Sequence, residues 1–277
     1  MSQADKLIIN AAVTGTVLYK SDTPCLPTTL AEVVEDAKRV REAGASIIHL
    51  HARSADESPS YDPAVYTELV DRVRDATDLI VNVSLSGRFV HDVETRAAAL
   101  ASRPELASLT LGSMNFISGA SVNAPDTVRD LAARIYEAGA VPELEIFEAG
   151  FANFATYLAR KGVLRPPHYA NIILGSLGTA PLDLLGLAHV MSLLPDGTTW
   201  SVGGLGRYQL DANVMGIATG GHVRVGLEDN IHFDRAASEL ADNQRLVARI
   251  ARIAREMGRE PATPAEARAI IGLAAVA

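Results

Sequence analysis

The sequence predicts a (β/α)8 barrel, and three observations lead to that fold class. Eight short runs rich in β-branched residues recur along the 277 residues of the chain. Alanine-rich segments with helical spacing lie between them, an alternation that is typical of a parallel sheet. The first turn, Thr14-Gly15-Thr16-Val17, lacks the glycine-rich fingerprint that an open doubly wound sheet usually carries after its first strand. We therefore expect one α/β domain over residues 1–277, with a C-terminal helical extension.

The predicted strands are short apolar runs, and the helices between them are bounded by capping residues. The eight strands are Leu7–Thr14, Ser46–His51, Leu79–Ser84, Leu106–Leu111, Pro142–Phe147, Ala170–Leu174, Thr198–Val202 and Val223–Leu227. The first helix begins at Thr28 or Thr29, either of which can cap it, and ends at Gly44. Further helices are expected near Ala64–Ala76, Ala124–Gly139 and Ala236–Gly258.

Composition excludes several classes of protein. The chain has 25 Lys+Arg and 33 Asp+Glu, a formal net charge of −8 without a basic run, so it lacks the electrostatic signature of a nucleic-acid-binding protein. Cys25 is the single cysteine and cannot form a disulfide within the chain. No apolar stretch approaches the ~18 residues that span a membrane, and the N-terminus does not resemble a signal peptide. We expect a cytoplasmic protein that binds neither nucleic acid nor membranes.

Candidate metal ligands lie at the ends of the second and eighth predicted strands. His49 and His51 alternate with Leu50, so both imidazoles face the same side of their strand. Glu228 shares the parity of Arg224, and closure of a barrel brings the eighth strand within two strands of the second. A His-His-Glu set with open coordination positions is typical of catalytic zinc. The alternative is a pair of buried histidines without a metal.

Two carboxylates share one face of the fifth predicted strand, Glu143 and Glu145. A buried acid must be paired, bound to a metal or protonated. Glu145 lies nearer the end of the barrel where chemistry occurs. Glu143 has the alternative of lying low in the barrel, paired with a basic residue such as Arg224.

Small and hydroxyl-bearing residues follow three other strands. Ser84 and Thr110 suit a carboxylate or carbonyl oxygen, although ordinary turn chemistry explains such residues equally well. After the seventh strand, Gly204 and Arg207 lie in a glycine-rich turn, and barrels often bind phosphate there. Taken alone, this turn is a weak signal for a phosphate group.

The order of these motifs resembles the β-keto acid cleavage enzymes. The matching stretches are Ala12–Gly15, Glu42–Arg53, Leu109–Phe116, Pro142–Glu145, Val223–Asn230 and Gly258–Ala267, which run in order over nearly the whole chain. The resemblance implies a zinc-dependent barrel (or one holding another divalent metal), usually a homotetramer. It also implies that a β-keto acid and acetyl-CoA are converted to acetoacetate and a new acyl-CoA, with no covalent enzyme intermediate.

The resemblance also implies roles for individual residues. By position, the metal ligands are His49, His51 and Glu228, the keto-acid contacts are Ser84, Gly87 and Thr110, and the proton-abstracting dyad is Arg224 and Asp229. Glu145 fits a supporting acid, with Glu143 left as the other possibility. Arg207 and Gly204 are the first candidates for a coenzyme A phosphate.

One position departs from the family pattern. Where the aminohexanoate-cleaving members have a Glu that would pair with a substrate ammonium group, this chain has Val17. We therefore expect a neutral or apolar β-keto acid as substrate. Two other functions stay open: a metal-dependent aldolase or lyase that uses no coenzyme A, and a ligand-binding barrel without catalysis.

Overall fold

Eight parallel strands close into a barrel in the computed structural model, which describes residues 5–117 and 119–274. The barrel strands are β1 (Ile9–Ala12), β2 (Ile47–Leu50), β3 (Ile80–Val83), β4 (Leu106–Thr110), β5 (Val141–Ile146), β6 (Tyr169–Leu174), β7 (Thr199–Gly204) and β8 (His222–Val225). Each strand pairs with the next along the chain, and β8 pairs with β1 to complete the ring. The predicted fold class is confirmed.

Helices cover the outside of the barrel and follow the strands in turn. They are α1 (Leu30–Ala43), α2 (Pro63–Ala76), α3 (Val93–Ala97), α4 (Pro125–Glu137), α5 (Ala149–Arg160), α6 (Leu184–Ser192), α7 (Gln209–Ala218), α8 (Asn243–Glu256) and α9 (Pro264–Ile271). None of the helices in these described ranges is long and apolar enough to cross a bilayer.

Helix α1 shows why the sequence places its boundaries where it does. The Thr29 hydroxyl accepts from the Glu32 amide, and the Glu32 carboxylate accepts from the Thr29 amide, which completes a capping box. Gly44 ends the helix with φ at +116°, a conformation that costs little only without a Cβ. Val33, Ala37 and Val40 form the buried face, as their spacing predicts.

The predicted first and last strands are wrong in extent. Lys6–Leu7 leaves the barrel and pairs with Glu260–Pro261 in a separate two-stranded sheet, so β1 begins at Ile9. At the other end β8 stops at Val225 because Gly226 has φ at +155°, and a Cβ there would lie 2.1 Å from the Ala12 carbonyl oxygen. Glu228 therefore belongs to the turn after β8 and not to the strand itself.

Two further boundaries differ from the sequence expectation. The last long helix begins at Asn243, capped by Asp242, and not near Ala236, because the preceding segment is a bend in which His232 bridges Leu240. A small hairpin that the sequence did not predict, Met114–Phe116 with Gly119–Ser121, follows β4.

The N-terminal end of the barrel is closed by apolar side chains. Inward-facing residues of the strands pack there against α9, which contributes Ala267 and Ile271. These strand residues are Ile47, Ile80, Leu106 and Tyr169, and Ile8, just before β1, joins them; all five are fully buried. Because this end is plugged, only the C-terminal ends of the strands leave space for a ligand.

Candidate active site

A cavity opens at the C-terminal ends of the barrel strands, where this fold carries its chemistry. Residues at or after the C-terminal end of every one of the eight strands contribute to its wall. Its titratable side chains are His51, Arg88, Glu145, Arg224, Glu228 and Asp229. The structure thus brings together, in one cavity, charged groups that the sequence spreads over almost two hundred residues.

His49, His51 and Glu228 form a cluster at this cavity, and two of them, His51 and Glu228, line its wall. The two histidine Nε2 atoms lie 3.2 Å apart, and His51 Nε2 lies 3.3 Å from Glu228 Oε1. Ligand atoms that sit about 2.0–2.1 Å from a tetrahedral metal ion are themselves about 3.3 Å apart. All three residues offer atoms within 4.8 Å of one another, as a metal site requires.

The protonation of the cluster suits a cation. Burial lowers the pKa of His49 well below its usual value, which keeps a lone pair available on the ring. Burial opposes ionisation of Glu228, but Arg224 and the two histidines outweigh it and hold its pKa well below the usual range. Glu228 Oε2 is buried without a hydrogen-bond partner among the described residues, as expected of a ligand atom facing a metal position.

Asn82 supports the cluster from behind. Its side-chain nitrogen lies 3.0 Å from His49 Nδ1, while its Oδ1 has no partner within the described part of the chain. The same nitrogen donates to the Glu143 carboxylate, so Asn82 links the metal cluster to the buried acid. The residues present therefore fit a metal ion held by two imidazoles and one carboxylate.

Arg224 and Asp229 form a buried ion pair beside the cluster. The Arg224 Nε donates to Asp229 Oδ2 at 2.8 Å, and Nη2 donates to Asp229 Oδ1 at 3.2 Å. Nη2 also donates to Glu228 Oε1 at 2.7 Å, so one guanidinium orients both carboxylates. Burial raises the pKa of Asp229 although Arg224 opposes the rise, which makes it a stronger base than an exposed aspartate.

The two carboxylates of β5 have different surroundings. Glu145 lines the cavity, and its Oε2 accepts from the Thr110 hydroxyl at 2.5 Å; burial raises its pKa. Glu143 lies deeper, and the alternative that it pairs with a basic residue such as Arg224 is wrong. Three amides hold it instead, because Asn10, Asn82 and Asn171 all donate to its carboxylate.

The predicted keto-acid contacts come from two neighbouring strands. Ser84 and Thr110 line the cavity. Gly87 packs against the guanidinium of Arg96, since a Cβ on this glycine would lie 2.8 Å from Arg96 Nη1. Arg96 is buried and its Nε donates to the Leu85 carbonyl, so it fixes the loop that carries Gly87.

The residues predicted to contact coenzyme A lie outside the cavity wall. Gly204 is buried, and a Cβ there would lie 2.4 Å from the Tyr208 carbonyl oxygen. Arg207 is exposed and donates to the Tyr208 hydroxyl at 2.8 Å. Their role in phosphate binding stays a prediction. Val17, in contrast, does line the cavity.

Sequence reasoning missed Arg88, Arg96 and the three asparagines around Glu143. The asparagines carried a usable signal, because an amide on the lumen side of a barrel strand is as unusual as a carboxylate. Arg88 and Arg96 carried none, since a loop and a short helix normally expose arginines to solvent.

Comparison with known proteins agrees with this geometry. The family model for beta-keto acid cleavage enzymes matches residues 6–273. A 3-keto-5-aminohexanoate cleavage enzyme of Fusobacterium nucleatum is 36% identical over 97% of this chain and 98% of its own length. A 3-oxoadipate:acetyl-CoA acetyltransferase of Cupriavidus necator is 36% identical over 96% of this chain and 94% of its own length.

Solved structures share the fold at lower identity. The apo structure of ObcA superposes with a TM-score of 0.76 at 20% identity and covers 90% of this chain, which spans 66% of that protein's length. The ternary complex of ObcA with a C4-CoA adduct and oxalate gives a TM-score of 0.77. The barrel, the clustered site and the match over nearly the full length lead to one conclusion: the chain belongs to the beta-keto acid cleavage enzyme family.

Proposed function

We propose that this protein is a metal-dependent enzyme that exchanges acyl groups between a β-keto acid and acetyl-CoA. The observation that carries the proposal is the His49–His51–Glu228 cluster lying against the Arg224–Asp229 pair within one cavity. The names of two relatives that are 36% identical, a keto-acid cleavage enzyme and an acetyl-CoA acetyltransferase, support the same reaction class.

The proposed reaction balances without an enzyme nucleophile. The α-carbon of the β-keto acid R–CO–CH2–COO⁻ loses a proton and attacks the acetyl thioester, and the coenzyme A thiolate leaves. The thiolate then attacks the R–CO carbonyl, and cleavage of the bond to the α-carbon releases acetoacetate, which takes up the proton. The products are acetoacetate and R–CO–SCoA. Cys25, the single cysteine, is exposed and lies outside the cavity wall, in keeping with a path that uses no thiolate of the enzyme.

Each residue of the site has its own role in this proposed reaction. Asp229 takes the α-proton, and Arg224 holds its carboxylate in place through two hydrogen bonds. Ser84 donates its hydroxyl to the carboxylate of the keto acid, and Thr110, whose hydroxyl donates to Glu145, contacts the substrate beside it. A divalent metal held by the two histidines and Glu228 would supply a Lewis acid for the keto oxygen.

Zinc is the metal that the donor set favours, because it accepts imidazole and carboxylate ligands together in sites with open positions. Fractional metal content of the purified protein, measured by mass spectrometry of the ions it releases, tests this choice. Zinc near one ion per chain is the expected result, and manganese or iron in its place would change the assignment.

The proposal extends to a homotetramer acting in the cytoplasm. Exposed apolar side chains support assembly: Ile117, Leu177 and Leu185 are each at least 80% exposed. In a monomer these side chains would be exposed to water, whereas contacts between subunits would bury them. Light scattering of the protein as it elutes from a size-exclusion column measures the mass of the assembly. The expected value is about four times the 29.3 kDa of one chain.

The decisive experiment is a panel of β-keto acids incubated with the metal-loaded enzyme, with and without acetyl-CoA. Acetoacetate and a new acyl-CoA that appear only with acetyl-CoA support the proposal. Cleavage without acetyl-CoA would point to the aldolase or lyase alternative. No turnover with any member, despite full metal loading, would favour a non-catalytic barrel.

A further inference from the structure

Arg88 is a cation inside the cavity whose side chain has no hydrogen-bond acceptor in the described part of the chain. It lies in the loop after β3 and lines the same cavity as the metal cluster. Within residues 5–117 and 119–274, no carboxylate or carbonyl oxygen accepts from its guanidinium, and no ion pair includes it. A half-buried guanidinium normally finds an acceptor, because its five donors are costly to leave unpaired.

The other cation of the cavity wall is already committed. Arg224 donates to both Glu228 and Asp229, so its charge is balanced within the protein, and Nη1, which has no partner among the described residues, is buried out of contact with solvent. The carboxylates of Glu228, Glu145 and Asp229 act on Arg88 only through space, without contact. Arg88 is therefore the cavity cation that remains available to a ligand.

The loop holds Arg88 in place. Its guanidinium stacks on Phe116 with its carbon 3.5 Å from the ring centroid, and Phe116 packs edge-on against Phe147 at 5.7 Å. Arg96 also fixes this loop, because its Nε donates a hydrogen bond to the Leu85 carbonyl oxygen. A preorganised guanidinium on an aromatic face binds a carboxylate at a lower entropy cost than a mobile surface arginine does.

The position of Arg88 separates it from the reacting atoms. Arg88 lies several residues beyond the end of β3 and stacks on Phe116 of the hairpin that follows β4, whereas His49 and Arg224 lie within barrel strands. Under the proposed function, the Ser84 hydroxyl binds the carboxylate next to the α-carbon. An acceptor for Arg88 must therefore lie farther along the substrate, beyond its keto group.

We propose that Arg88 binds a second carboxylate at the distal end of the substrate side chain, so that the preferred substrates are β-keto dicarboxylates. This inference rests on the proposed function. It replaces the expectation of a neutral or apolar substrate, which considered Val17 alone. Val17 removes the partner for an ammonium group, and Arg88 adds a partner for an anion, so both residues disfavour a cationic side chain.

The same guanidinium could instead meet a phosphate of coenzyme A or the carboxylate beside the α-carbon. The three possible ligand groups can be distinguished by what changes when the positive charge of Arg88 is removed. Loss of a distal-carboxylate contact weakens dicarboxylates alone. Loss of a phosphate contact raises the KM for acetyl-CoA, and loss of the α-carboxylate contact weakens every keto acid equally.

The experiment compares the wild type, Arg88→Gln and Arg88→Lys in the metal-loaded enzyme. Arg72→Gln is the matched control, because this exposed arginine on α2 contributes one positive charge far from the cavity. Calorimetry measures the binding of adipate and hexanoate, which have six carbons and differ in one terminal carboxylate. Both lack the keto group, so their binding is decisive whether or not the proposed reaction occurs.

We expect the wild type and Arg72→Gln to bind adipate roughly 10- to 100-fold more tightly than hexanoate, as a charged hydrogen bond provides. In Arg88→Gln this preference falls to about one, and Arg88→Lys restores part of it. In turnover with acetyl-CoA, 3-oxoadipate should lose kcat/KM through KM, while 3-oxohexanoate changes little.

Three results would overturn the inference: equal binding of the two acids by the wild type, a preference that survives Arg88→Gln, or an effect confined to the KM of acetyl-CoA. If adipate binding depends on Arg88 but no keto acid turns over, the proposed reaction fails and the anion site stands.

Discussion

Glu143 offers a quantitative test of how this barrel treats a buried acid. Its side chain is 0% exposed and is held by Asn10, Asn82 and Asn171, with no cation in contact among the described residues. Burial, opposed in part by the charge of Arg224, raises its pKa from 4.5 to about 7. The carboxyl is therefore largely protonated in weakly acidic solution.

The sign of the effect on stability follows from proton binding. Between pH 4.5 and about 7, folded Glu143 keeps a proton that the unfolded chain releases, so the free energy of unfolding falls as pH rises. At about 1.36 kcal/mol per pH unit the total loss approaches about 3.4 kcal/mol. About 2.5 kcal/mol of it falls between pH 5 and pH 8.

Glu143→Gln removes this titration while nearly preserving the shape of the side chain. Urea unfolding of the chelator-treated proteins at pH 5 and pH 8 gives both free energies. Relative to the wild type, the variant should gain about 2.5 kcal/mol from pH 5 to pH 8. Glu35→Gln, an exposed position on α1, is the control and should follow the wild type. Parallel curves for Glu143→Gln and the wild type would refute the account of Glu143.

Three further substitutions test the site. Asp229→Asn should lower kcat by roughly 10²–10⁴-fold with metal content unchanged, and normal turnover would remove Asp229 from the mechanism. His49→Ala should lose bound metal, measured per chain after dialysis, whereas full occupancy would refute its assignment as a ligand. Gly15→Ala would place a Cβ 2.7 Å from Glu228 Cγ and should weaken metal binding. Gly220→Ala, with φ at +85° and open space around it, should cost only about 1–2 kcal/mol of stability and leave metal binding unchanged.

The sequence was sufficient for the order of elements because local signals fixed it. Helix α1 carries its own capping box at Thr29 and Glu32 and its own stop at Gly44. Side chains alternate between the two faces of strand β2, so His49 and His51 could be assigned to one face and Leu50 to the other. These features depend on residues close in the chain.

Boundaries that depend on distant contacts were wrong. β8 ends at Val225 because the backbone at Gly226 meets the Ala12 carbonyl, which lies in β1. Lys6–Leu7 leaves the barrel because Glu260–Pro261, at the other end of the chain, pairs with it. The pattern of residues around each position gave no sign of either contact.

By itself the sequence determined the barrel, the order of its eight strands and the identity of the residues that could bind a metal, since period, capping and residue type are local properties. Tertiary structure alone decided how those residues meet. It showed Arg224 bridging Glu228 and Asp229, three amides and no cation around Glu143, and Arg88 facing the cavity without a partner in the described chain. The physical reason is that charge pairing and desolvation depend on distances between residues far apart in the chain, and only closure of the barrel sets those distances.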